Sequence, residues 1–142
     1  MKGKIIESEY IPGYTSWVCK QTKYGSFYGI AVLQEEDKDI DNSFDGCRIA
    51  EFKANLAACK EKAKWMRQRA IGAATIVNNL YDSLDEETWN KLNHQVEVSF
   101  READKAKEYY ERMRDYLPIF IENLLKRRRE TRELIESKKD AN

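Results

Sequence analysis

The stretch IAEFKANLAACKEKAKWMRQRAIGAATIVNNL, residues 49–80, decides the fold. Within it Ile49, Phe52, Leu56, Cys59, Ala63, Met66, Ala70, Ala73, Val77 and Leu80 step by three and four without a miss. Apolar positions at that spacing lie on one face of a helix, here sustained for roughly 48 Å at about 1.5 Å per residue. The alanines at 63, 70 and 73 let a partner helix approach closely. Asn78, Asn79 and Ser83 then supply end and cap chemistry, and Asp85-Glu86-Glu87 suits the positive end of a second helix.

That second helix carries the same stripe. Trp89, Leu92, Val96, Ser99, Ala103, Ala106, Tyr110, Met113, Leu117, Phe120, Leu124, Arg127, Thr131 and Leu134 keep the register. Pro118 interrupts it by removing a backbone donor and crowding the carbonyl four residues back. A kink or short break is expected near Tyr116-Leu117, with a final helix from Ile119 to Ser137. The short 81–86 connection makes the two long helices antiparallel neighbours.

Upstream the texture changes. Five of the six glycines precede residue 47. Ile5–Ile11, Tyr14–Thr22 and Phe27–Leu33 are rich in β-branched and aromatic residues, punctuated by Pro12-Gly13 and Lys23-Tyr24-Gly25. Strands this close together form an antiparallel meander, since parallel pairing needs long crossovers. Glu35–Asp45, with six acids in eleven residues, reads as a solvated loop or an edge strand with a loop. The expected class is α+β in a single domain of 1–142, with a sheet region at 1–46 and a helical hairpin at 47–142.

Composition bounds the function. At 142 residues one core can be buried without staples. The 35% of charged residues balance to zero, with pI near 6.6, so no global basic field draws the chain onto nucleic acid or an acidic membrane. Cys19, Cys47 and Cys59 lack metal-ligand spacing and are expected to be reduced apolar residues, with no metal or cofactor implied. No signal region and no apolar run of about 18 residues is present, so a soluble intracellular protein with no membrane association is expected. No nucleophile–base pair, phosphate loop or zinc motif occurs, and the lone His94 reads as an exposed or capped polar residue, so no catalysis is expected.

Binding chemistry concentrates in arginines. Lys126-Arg127-Arg128-Arg129 and Arg132 put five cations in seven residues. Arg128 and Arg132 share a helical face and can present two forks to one pyrophosphate. The blander role of such cations is to complement a helix C-terminus. Tyr109, Tyr110 and Arg112 set ring faces beside a cation, which suits a base and its phosphate, although Tyr110 also falls on the packing seam. Trp17 and Tyr28 on the sheet offer further stacking faces, and Arg48 lies near the start of the first helix. Trp65, Ile71, Ile76, Phe100, Tyr109, Ile119, Ile121 and Leu125 lie off the seam, and a second copy of the chain is expected to cover those the sheet does not.

The segments Tyr14-Thr15-Ser16-Trp17, Tyr28-Gly29-Ile30-Ala31, Glu36-Asp37-Lys38-Asp39 and Phe44-Asp45-Gly46-Cys47-Arg48-Ile49-Ala50-Glu51 together resemble the first-described family of phage Thoeris anti-defence proteins. The resemblance implies an N-terminal antiparallel sheet with long C-terminal helices. It also implies a sponge acting in the host bacterial cytoplasm, which holds cyclic ADP-ribose isomers intact in a pocket between protomers of a dimer or a higher assembly such as a hexamer. Some members also sequester cyclic oligonucleotides. The competing readings are a nucleic-acid-binding or regulatory adaptor using the arginine-rich helix, which zero net charge makes unlikely, and a structural coiled-coil phage component.

Overall fold

The computed structural model describes residues 3–12, 15–32 and 43–140. Three strands, β1 (Lys4–Ile11), β2 (Thr15–Thr22) and β3 (Gly25–Val32), are followed by α1 (Ser43–Asn79), a short 3₁₀ turn (Tyr81–Ser83) and α2 (Glu86–Asp140). The sheet is an antiparallel meander in the order β1-β2-β3. Its β2–β3 hairpin turns at Lys23-Tyr24, neither of which has positive φ. The chain recovers the strand direction at Gly25, whose φ of 128° favours a residue without a Cβ.

By contact density the chain divides into two compact units, residues 1–58 with 113–142, and residues 59–112. The units cut across the expected division at 46/47. The first joins the sheet to the start of α1 and the end of α2; the second is the helical hairpin around the turn.

In the first unit Ser16, Val18 and Lys20 of β2 are buried on one face, and Cys19 is buried on the other. The α1 helix lies against that face through Ala50, Ala54 and Ala58, all with no exposed surface. These three are spaced i, i+4, i+8 and form a second face, on the side of α1 away from the seam. Opposite Val18 sits Gly29, where a Cβ would overlap the Ala50 carbonyl and approach the Ala54 amide at 2.6 Å. Lys20, 6% exposed, donates from Nζ to Glu51 Oε1 at 2.9 Å, and Lys53 Nζ caps the Ile30 carbonyl on the edge of β3 at 2.9 Å. On the other face of the sheet Tyr28, Ile30 and Val32 are exposed.

In the second unit the seam has the expected register. Cys59, Ala63, Ala70 and Val77 of α1 and Val96 and Ala103 of α2 are buried. The Arg67 guanidinium spans to Asp104 at 3.5 Å, and Tyr81 packs edge-on against Trp89. Asp85 caps α2 by accepting from the Thr88 amide at 3.2 Å, and the Thr88 hydroxyl and amide hold its carboxyl below the ordinary carboxylate range.

Three expectations are corrected. The helix starts at Ser43 rather than after residue 46, so Asp45 lies in its first turn and not in the acidic loop. An acid there complements the exposed amides of the N-terminus. Secondly, the short break does not occur: α2 runs through Pro118 as one element, and Ile119–Ser137 is not a separate helix. Thirdly, the α2 seam stops being buried at Leu124; Arg127, Thr131 and Leu134 are exposed. The rest of the expected acidic loop, and Leu33 at the end of the third expected strand, lie outside the described residues.

Candidate anion-binding cleft

The site forms where the apolar seam of the first unit gives way to charge. Phe52 stacks on Phe120 with ring centroids 4.8 Å apart, and Tyr116 packs beside both. One turn further along each helix, toward the N-terminus of α1 and the C-terminus of α2, come buried Ile49 and Leu124, and beyond them no apolar pair follows. Instead Asp45, Arg48, Leu124, Arg127, Arg128 and Thr131 line a cleft of about 240 Å³.

Leu124, 3% exposed, is its apolar floor. Arg48 lies with its guanidinium 5.5 Å from the centroid of the Phe120 ring, so the stacked aromatics hold one cation in place. Arg128 Nε donates to Asp45 Oδ2 at 2.6 Å, with 13% of the Asp45 side chain exposed and 41% of the Arg128 side chain. The Thr131 hydroxyl donates to the Arg127 carbonyl at 2.8 Å, a helical back-bond that fixes its oxygen at the rim. Among the lining residues three guanidinium groups stand against one carboxylate, a donor set that matches phosphate oxygens.

The structure brings together two of the residues singled out in the sequence, Arg128 and Arg48. Arg132 stands one turn after Arg128 but does not line the cleft. Tyr109, Tyr110 and Arg112 belong to the second unit. Trp17 and Tyr28 form a tilted pair on the sheet with centroids 6.0 Å apart. The Trp17 indole donates to Glu9 Oε2 at 3.0 Å, and neither ring lines the cleft. Four lining residues escaped the sequence reading: Asp45, Leu124, Arg127 and Thr131. A signal for them existed. Arg127 and Thr131 are polar near the end of a stripe otherwise broken only at Ser99, and stepping back one turn from Ile49 lands on Asp45, so polar positions of both helices face each other.

Among the described residues no group of three or more His, Cys, Asp or Glu could hold a metal ion. Cys19, Cys47 and Cys59 are free thiols, and burial pushes the Cys59 thiol above its ordinary value. His94 is exposed beside Glu97. No helix among the described residues is long and apolar enough to cross a membrane. No family model, curated protein or solved structure matches the chain.

Proposed function

We propose that this protein binds and sequesters a cyclic nucleotide signal, a cyclic ADP-ribose isomer in the first instance, and releases it unaltered, acting in the host bacterial cytoplasm as a phage immune-evasion protein. The observation that carries the reading is the convergence of Arg48, Arg127 and Arg128 from two helices on one cleft with an apolar floor. Arginine forks match phosphate oxygens, and a floor such as Leu124 suits the face of a ribose. At about 240 Å³ the cleft takes the phosphate end of such a ligand rather than the whole of it. The remainder then requires a second surface, in keeping with the assembly of several copies that the resemblance implies. A binding protein of this kind needs affinity and not turnover.

The test is mass spectrometry of what heat releases from the purified protein, joined to calorimetric titration with cyclic ADP-ribose isomers. An intact cyclic nucleotide is expected. Arg48→Ala and Arg128→Ala are each expected to weaken binding by about ten- to a hundredfold, the worth of one charge-assisted bond. Nucleic acid in the released fraction would favour the adaptor. Cleavage products formed with turnover would make the protein an enzyme and overturn the reading.

A further inference from the structure

The second half of α1 and the turn that follows it carry a charge pattern that the hairpin leaves partly unused. Residues 60–69 hold five cations and one acid, residues 70–81 hold no charge at all, and residues 82–87 hold four acids and no cation. In a chain with 35% charged residues, a twelve-residue neutral window flanked by opposite signs is a pattern that reads inverted from its other end. Part of it has local work: Arg67 reaches Asp104, Asp85 caps α2 and Glu87 pairs with Lys91. Lys60, Lys62 and Lys64 on one side and Asp82 and Glu86 on the other have no ion pair among the described residues.

The neutral window is also where the helix exposes apolar surface. Ile71, Ile76, Leu80 and Tyr81 are exposed, Ile76 by 62%, and Trp65 just before them by 40%. Gly72 lies among them in mid-helix, where glycine weakens a helix more than any residue but proline. Nothing among the described residues lies within 4 Å of where its Cβ would stand, so no packing among them accounts for it.

We propose that this face of α1 pairs with the same face of a second copy, the two helices running antiparallel and crossing near Gly72. The glycine lets the backbones approach, and a shallow crossing of about 20° keeps the flanks in reach of each other. The Lys60–Lys64 flank of each copy then meets the Asp82–Glu86 flank of the other, as a two-fold interface demands. A parallel pairing would set like charges together, so the pattern selects both the occupant and its direction.

Sedimentation of the full chain at micromolar concentration tests this. The parent is expected at twice 16.7 kDa or an even multiple of it. Gly72→Phe is expected to halve that mass with helix content unchanged by circular dichroism. Lys62→Glu with Lys64→Glu is expected to dissociate the pair, and adding Asp82→Lys with Glu86→Lys to restore it. A parent at 16.7 kDa overturns the proposal, as does a folded Gly72→Phe of parental mass. If Gly72→Phe loses helix content, the charge swap decides alone: no dissociation, or dissociation without rescue, overturns the proposal.

Discussion

Asp45 acts on the cleft in two opposed ways. Its carboxylate fixes the Arg128 guanidinium at 2.6 Å, and it also occupies a donor that an incoming phosphate would use. Asp45→Asn keeps the shape and removes the charge. Its expected effect is tighter binding of a cyclic nucleotide, by up to about tenfold, equivalent to about 1.4 kcal/mol. A loss of stability of no more than about 1 kcal/mol should accompany it, because the Arg128 side chain is 41% exposed and water screens the pair. Calorimetric affinity beside a melting curve checks both. A fall in affinity would mean instead that Asp45 accepts a hydrogen bond from the ligand. Arg128 could be read from the sequence because five cations in seven residues stand out. Asp45 was masked by the run of acids it ends; only its place one turn before Ile49, in the first turn of α1, separates it from them.

Among the elements, the contact of α1 with the sheet is the most sharply defined. The seam of Cys59, Ala63, Ala70 and Val77 was legible because three-four spacing survives in any helix. The opposite face of Ala50, Ala54 and Ala58 was not, because alanine is a good helix former anywhere and signals no particular neighbour. What chooses those alanines is Gly29 on another element, a relation that no local pattern contains. Gly29→Ala forces a methyl into the backbone of α1 near Ala50. The expected cost is about 3 kcal/mol or more, read as a shift of the denaturation midpoint. An unchanged midpoint would show that the sheet docks by some other face. Pro118 was legible as a residue, though not as an end: the α2 helix continues through it, losing one donor without ending.

For the molecule as a whole, zero net charge separates local from global electrostatics. The cleft is positive while the chain is neutral, so a small dianion should be held without long-range steering of polyanions. Raising salt from about 50 to 200 mM should weaken binding of a cyclic nucleotide by less than about tenfold, whereas a protein neutralising six to ten phosphates of DNA loses about 10³–10⁵. Titrations at the two salt concentrations, with each ligand, check this. A steep salt dependence with duplex DNA would favour the adaptor. At this scale the fold class was legible in the change from β-branched and aromatic runs punctuated by glycine to three-four spacing. The partition into two units was not, since it depends on which parts of each long helix the sheet covers.

Gly29 has one more consequence, for fidelity rather than stability. A strand that slips by one residue turns every side chain to the other face, and a slip by two restores the faces but moves the positions. On β3 a two-residue slip would bring Phe27 or Ala31 to the place where α1 passes, and each carries a Cβ that the Ala50 carbonyl does not admit. The helix therefore works as a gauge. It fits the hairpin with Gly29 opposite Val18 and does not fit either two-residue slip, so that the register is checked by a second element as well as by the strands themselves.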